Sequence, residues 1–337
     1  MLIVFSGGSL FPETVEKEDL VLEHAGRMNR RLEDGRIILY LVEDVKWRKG
    51  ETVISSDTAS YVEDLGWLRL TGHVSVTEPE RTILADTVDY YEEDDKAEAR
   101  GEVTVISEDS KQKLQTNRLI YMREKDHMTA FNRPMITVRR EEEEGDSTSL
   151  VIWGNRVVSC GEDSLFVVGD VIMEGDSLGA ECDSSFYDLE KDWIRLRNNP
   201  VVTVTQHIAW GDEVDLYIPD EKIEQAAVRG SARAEGRKEL KEEEETTGEE
   251  RFWTEADSLV LLFKDEELSE LTAYSKARSL VEREDEDKKV ERNYVTGNVI
   301  TVKMEEGEVE RVLVEGDGRG VYVMPPDTIK AGAGSDR

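Results

Sequence analysis

The stretch that most constrains this chain runs from Trp67 to Val105. Leu68, Leu70, Gly72, Val74 and Val76 share one parity, and Arg69, Thr71, His73 and Ser75 share the other. Alternation with a period of two predicts a strand with one apolar and one wet face. Ile83 to Tyr91 follows, then a charged turn from Glu92 to Lys96. The next strand sets Ala97, Ala99, Gly101, Val103 and Val105 against Glu98, Arg100, Glu102 and Thr104. The unit is therefore strand, turn, strand, with a glycine in mid-strand. Such a glycine marks a bulge, a bend or a close backbone approach.

The same template fits most of the remaining chain. It recurs over 114–121, 128–132 and 136–138, then over 152–159 and 165–173. It recurs again over 178–187, 194–198 and 201–204, and over 209–217 and 226–234. Gly or Asn stands in mid-strand at positions 72, 101, 132, 169, 198 and 230, a spacing of roughly 29 to 37 residues. Self-similarity at that period predicts a stacked architecture. The opening unit alternates at Ile37, Leu39 and Leu41 but carries Glu43-Asp44 where the glycine belongs, as a degenerate cap would. The array restarts at Phe252–Leu262 and closes with Asn298–Met304 and Val309–Gly316. The expectation is an all-β, elongated, V-shaped bent sheet, a jellyroll-like or solenoid-like stack spanning 21–326. Residues 1–20 would be a leader, either a signal remnant or disordered, and 327–337 a disordered tail. Acidic runs near 141–147 and 237–250 read as solvated loop insertions.

If every unit bends at the same point, the apolar parity of both halves faces inward as two walls. Many of the inward residues are small, including Ala97, Ala99, Ala226, Ala232 and Ala234. A packing core favours larger branched side chains, so small ones along a trough leave room for a guest. The inward set, and hence the candidate groove, is Leu68, Leu70, Val74, Val76, Ala97, Ala99, Val103, Val105, Met128, Ala130, Ile136, Val138, Leu165, Val167, Val171, Met173, Ile194, Leu196, Val202 and Val204. The alternative is two walls closed on each other as a dry core.

The chain carries a formal net charge of −33, with 35% charged and 38% hydrophobic residues. A thin-cored array tolerates that composition better than a globule does. The charge excludes nucleic acid as a natural partner, because affinity there comes from neutralised phosphates. No apolar run approaches the ~20 residues of a membrane-spanning helix. Cys160 and Cys182 fall in adjacent units and read as two half-buried small residues, although one bridge is conceivable. His24, His73, His127 and His207 have no metal-ligand spacing, with His73 on the outward parity and His127 in a turn. No carboxylate pair stands out as an acid/base couple. Gly316-Asp317-Gly318-Arg319-Gly320 lacks the flanking strand and helix of a phosphate-binding loop and reads as a turn after the last strand. Tyr61, Tyr90 and Tyr121 recur once per unit, as a structural ladder. No cofactor or metal is expected, and the chain reads as a non-enzyme.

Two segments carry a family resemblance. One is Ile83 to Tyr90, with its Ala85-Asp86 pair, followed by Ala97 to Val105. The other is Ser56 to Tyr61 followed by Leu68 to Val76. The closing segment Gly307 to Gly318 adds a third. With its units aligned, the chain resembles the OstA/LptA family of periplasmic lipopolysaccharide-transport proteins over about residues 20 to 323. The resemblance implies a V-shaped β-jellyroll that shields lipopolysaccharide acyl chains in an apolar trough. It also implies a periplasmic location and end-to-end strand pairing with other transport proteins or with further copies, forming a bridge between inner and outer membranes. Unpaired edges at the ends of a stack are templates for such pairing. This chain departs from a short family member in having more units, and its charge of −33 calls for Lys and Arg at the rim, or divalent cations, beside anionic lipid A phosphates. The rival readings are a closed β-scaffold and a β-helix protein that binds or processes polysaccharide.

Overall fold

The computed structural model describes residues 19–324 apart from 108–111, 140–148, 162–163, 189, 220–221, 243–244, 286–287 and 306. The leader up to residue 18, the acidic run at 141–147 and the tail 327–337 lie outside the described residues. Among the described residues there is no α-helix. Twenty-four strands form one antiparallel sheet, with single 3-10 turns at Glu63–Leu65 and Arg123–Lys125.

Each long strand breaks register with its neighbour near its middle. Between Trp67–Thr77 and Arg81–Tyr91 the break falls at Thr71/Val74, and between Lys96–Ser107 and Gln112–Met122 at Arg100/Val103. The chain bends there, so one half of each strand belongs to one wall and the other half to the facing wall. Residues 67–71, 87–91 and 96–100 lie in the first wall, and 74–77, 81–84 and 103–107 in the second. Elsewhere the bend interrupts the strand altogether. His127–Phe131 gives way to Met135–Arg139, and Trp193–Arg197 to Val201–Val204, with Pro134 and Pro200 just past the bend. A proline has no N–H to offer the ladder.

The bends share one local device. Gly72, Gly101, Gly169 and Gly230 have φ of 80°, 96°, 82° and 75°, and Asn132 and Asn198 have 65° and 64°. Glycine adopts positive φ without steric cost and asparagine tolerates it. The adjacent strand lays an Asp or Asn side chain over each bending glycine: Asp57 over Gly72, Asp86 over Gly101, Asn155 over Gly169, Asp212 over Gly230 and Asn298 over Gly316. The Glu102 N–H donates to Asp86 Oδ2 at 3.1 Å across one such corner. Glu43 and Asp44 reach φ of 70° and 51°, so the opening unit bends like the others although its sequence reads as degenerate. Ser275 and Lys276 do the same at 64° and 53°. Gly316-Asp317 is likewise a corner, between strands Glu308–Glu315 and Arg319–Val323, and not a turn after the last strand.

The inward parity of both walls packs into one continuous core, in which Leu68, Leu70, Val167 and Leu196 are fully buried. The outer face is laced with charge. The fully buried Asp89 carboxylate accepts from Arg69 Nε at 2.7 Å, Arg100 Nη1 at 2.7 Å and Trp67 Nε1 at 3.1 Å. Asp215 is held the same way by Arg195 and Arg229. Cross-strand ion pairs of this kind are how a sheet carries so many charges on one face.

The acidic stretch 237–250 is not a loop. It belongs to a hairpin of the two strands Gln225–Glu242 and Glu245–Lys264, in which Arg237 faces Arg251 and Lys238 faces Glu250. The Glu249 carboxylate pairs with both Arg237 and Arg251, and Glu250 pairs with Arg283 on the next strand.

Candidate functional site

The two walls meet at the corners and have free tips on the opposite side, where the hairpin turns lie. Whether the interior is open depends on what joins those tips. Near the start of the stack they are joined by buried polar clusters. Lys49, at a tip of the second wall, reaches the first wall, and its Nζ donates to Tyr90 Oη and to Asp95 Oδ1, both at 2.6 Å. The Tyr90 hydroxyl donates to Asp95 Oδ1 at 2.7 Å. One unit on, Arg81 pairs with Asp126 Oδ1 at 3.0 Å, and the Tyr121 hydroxyl donates to Glu78 Oε2 at 3.3 Å. Each cation also lies over its tyrosine ring, Lys49 at 5.3 Å and Arg81 at 5.6 Å. Burial, with Asp95 and Glu78 adding to it, pushes the Tyr90 and Tyr121 hydroxyls well above their ordinary range. Burial alone would raise the Asp95 carboxyl too, but hydrogen bonds from Lys49 and Tyr90 outweigh it and hold it below its usual value. Beside these clusters the inward tip residues Trp47, Ile54 and Ile83 are buried.

Further along, the tips are joined again. Ser177 Oγ donates to Glu266 Oε1 at 2.7 Å, the Val309 N–H donates to Glu250 Oε1 at 2.7 Å, and Arg283 pairs with Glu308 at 3.2 Å.

Between these two regions the walls part. The tips around Ser107 and Gln112 on one wall face those around Ser159 and Ser164 on the other, and no hydrogen bond or ion pair joins them among the described residues. A cavity of about 190 Å³ opens there, floored by Val105, Leu114, Met128, Ala130, Ile136, Val157 and Leu165. Its rim is Ser107, Gln112, Ser159, Gly161 and Ser164, with Glu80 and Arg81 at one end. Inward residues here, Leu114, Met128, Val138, Leu150 and Leu165, are only half-buried. The rim is thus mostly hydroxyl and amide groups over an apolar floor, with one acidic and one basic side chain at its end.

Of the residues placed in the groove by parity, Val105, Met128, Ala130, Ile136 and Leu165 line this cavity. Leu68, Leu70, Val74, Ala99, Val103, Val167, Val171, Met173, Ile194, Leu196, Val202 and Val204 are packed into the closed core. Val76, Ala97 and Val138 are half-buried at its margin. Leu114 and Val157 complete the floor and were outside the parity-based set, although Leu114 alternates with Thr116 as an inward residue should. The clusters that join the tips were not foreseen. Tyr90 and Tyr121 recur, but each hydroxyl meets an Asp five residues on and a cation from the other wall instead of a neighbouring tyrosine. Tyr61 packs against Trp47 at 5.7 Å, and burial, with the Glu92 carboxylate, raises its hydroxyl to about 12.

The cysteines are free and differ from each other: Cys160 is exposed, while burial pushes the Cys182 thiol up to about 11. His127 starts a strand, His127–Phe131, and is not in a turn; its Nδ1 lies 3.2 Å from Cys160 Sγ. His73 sits on an exposed corner with Nδ1 2.8 Å from Asp57 Oδ2. His207 is buried against Phe252 and has no partner for Nδ1, and burial lowers it to about 4. Among the described residues no cluster of His, Cys, Asp and Glu could hold a metal ion.

No protein-family model matches the chain, and no characterised protein sequence matches it either. Among solved structures it is similar to the crystal structure of LptH, the LptA homologous periplasmic component of the conserved lipopolysaccharide transport device from Pseudomonas aeruginosa. Identity is 16%, the match covers 44% of this chain and 95% of that one, and the TM-score is 0.32. A score that low leaves the architecture to be read from the chain's own strand pairing.

Proposed function

We propose that this protein is a non-enzymatic periplasmic carrier that holds acyl chains of lipopolysaccharide between its two walls and serves as a segment of a bridge between membranes. The observation that carries this reading is the side-opening apolar cavity with its mostly uncharged polar rim. About 190 Å³ holds a stretch of one acyl chain. Each buried methylene contributes about 0.8 kcal/mol, so a run of five contributes about 4 kcal/mol without any polar contact. The polar head would stay outside, next to Arg81 at the end of the rim.

The ends of the stack support the bridge. Arg27–Glu33 pairs on one side only among the described residues, and Met28 and Leu32 on it are exposed. At the far end Glu308–Glu315 and Arg319–Val323 each pair only with Val290–Glu305. The first edge carries Arg27, Arg30 and Arg31 with Glu33, and Glu308–Glu315 at the last carries Glu308, Glu310 and Glu315 with Arg311. An acidic edge beside a basic one favours head-to-tail strand addition.

A closed structural scaffold is the second reading, and the burial of Leu70, Val103 and Leu196 favours it over most of the length. Photocrosslinking to purified lipopolysaccharide separates the two. Probes at Met128 and Leu165 should crosslink, and probes on the outer parity at Thr129 and Phe166 should not. Equal yields at all four positions, or none at Met128 and Leu165 in folded protein, would leave the scaffold.

A further inference from the structure

The two buried clusters near the start of the stack are built alike. Each has a tyrosine at a tip of the first wall, Tyr90 or Tyr121, and an aspartate five residues later in the following turn, Asp95 or Asp126. Each also has a cation from a tip of the second wall, Lys49 or Arg81. Within the clusters the partners from opposite walls are separated by 40 to 46 residues in sequence, and side chains join them at the tips. Lys49 is almost wholly buried and Arg81 nearly so, so each cation depends on its partners from the facing wall. The cavity begins where this construction stops: Arg81 is both a member of the second cluster and a residue of the cavity wall.

We infer that Lys49–Tyr90–Asp95 and Arg81–Tyr121–Asp126 are latches that clamp the tips of the two walls and confine a lipid guest to the cavity around Met128, and that releasing them lengthens the groove toward Leu70. The inference rests on the lipid-carrying reading. It accounts for two facts together. Inward residues beside the clamped tips, Trp47, Ile54 and Ile83, are buried, whereas Leu114, Met128, Val138, Leu150 and Leu165 in the unclamped part are only half-buried. Both parts have the same bent-strand construction, so the corners do not explain the difference. The tips do. An ion pair surrounded by tyrosine and held in low dielectric is stable while closed, and water entering the mouth weakens it, which makes the latch a two-state element.

The test uses the full chain with photocrosslinking probes at Leu70 and at Met128, and purified lipopolysaccharide as the ligand. In the otherwise unchanged protein the Met128 probe should crosslink and the Leu70 probe should not. Lys49→Met and Asp95→Ala combined with Asp126→Ala, which opens both latches, should raise the Leu70 yield about tenfold, equivalent to ~1.4 kcal/mol of closure. Tyr90→Phe, which removes only a hydroxyl, should raise it by a smaller factor, and the swapped pair Lys49→Asp with Asp95→Lys should bring it back down. A Leu70 yield that stays flat in folded variants while Met128 still crosslinks would overturn the latch and leave the carrier reading intact. Equal yields at Leu70 and Met128 before any substitution would also overturn it. Absence of crosslinking at Met128 would refute the carrier reading instead. Hydrogen exchange along Arg81–Tyr91 then decides the latch without lipid: faster exchange in the Lys49→Met, Asp95→Ala protein supports it, and unchanged exchange overturns it.

Discussion

Replacing Gly101 by alanine tests how the bends are made. Gly101 has a φ of 96°, and a Cβ added there would sit 2.0 Å from Asp86 Oδ2 and 2.6 Å from Asp86 Cβ. Forcing an L side chain into this backbone region costs about 1–2 kcal/mol. Asp86 must also move, which breaks its hydrogen bond from the Glu102 N–H and adds about 1–2 kcal/mol. The expected loss is therefore about 2–4 kcal/mol. Asp86→Ala alone should cost about 1 kcal/mol, the value of a partly exposed hydrogen bond. In the double variant the collision with the carboxylate is gone, although the Cβ–Cβ approach of 2.6 Å remains, so the two changes should be less than additive by about 1 kcal/mol. Gly35 is an internal control: its φ is 80° but nothing lies within 4 Å of an added Cβ, so Gly35→Ala should cost only the strain, about 1–2 kcal/mol. Urea unfolding followed by circular dichroism measures all four proteins, and hydrogen exchange localises the loss to Lys96–Ser107 and its neighbours. A Gly101→Ala cost no larger than that of Gly35→Ala, or full additivity with Asp86→Ala, would refute the corner mechanism.

Three further outcomes are expected. Burial lowers His207 to about 4 in the folded protein from its ordinary 6.5, so the unfolded chain takes up a proton first. Stability should fall by about 3 kcal/mol as pH drops from 6.5 to 4, and His207→Phe should flatten that part of a urea-midpoint profile. For Asp89, burial raises the carboxyl, but Arg69, Arg100 and Trp67 outweigh it and hold the group below its ordinary 3.8. Its contribution is present above that value and is lost as pH falls through the lower folded one, so Asp89→Ala should cost about 2 kcal/mol at neutral pH and progressively less in acid. Reversing Arg30 and Arg31 to glutamate should abolish end-to-end association in sedimentation velocity, and added salt should weaken association of the unchanged protein.

The bent stack was legible because its signals are local. Period-two alternation fixed the inward face, and Gly or Asn at 72, 101, 132, 169, 198 and 230 marked bends that all have positive φ where they were expected. Glu43-Asp44 read as a degenerate cap and Ser275-Lys276 gave no signal, because charged or hydroxyl residues rarely hold that conformation without help from the neighbouring strand. Asp86 was visible as part of the Ala85-Asp86 pair, yet its task of covering a glycine on the next strand, shared with Asp57, Asn155 and Asp212, depends on register. The cavity was the least legible feature. Parity marks Leu70 and Met128 as equally inward, and what separates them is whether Lys49 or Arg81 reaches an aspartate more than 40 residues away. The 237–250 run was misread for a related reason. Its charges look repulsive along the chain, while Glu249 and Glu250 find arginines at 237, 251 and 283.

Because five of the bends repeat one corner between an Asp or Asn and a glycine, the cross-section is decided locally and the length is decided by counting. Adjacent strands advance the stack by about 4.8 Å, so inserting or deleting a whole hairpin should change the rod by about 10 Å and leave its profile untouched. Reach is then a heritable integer: duplication of a unit is a ruler that lengthens in fixed steps, and no new packing problem has to be solved at any of them.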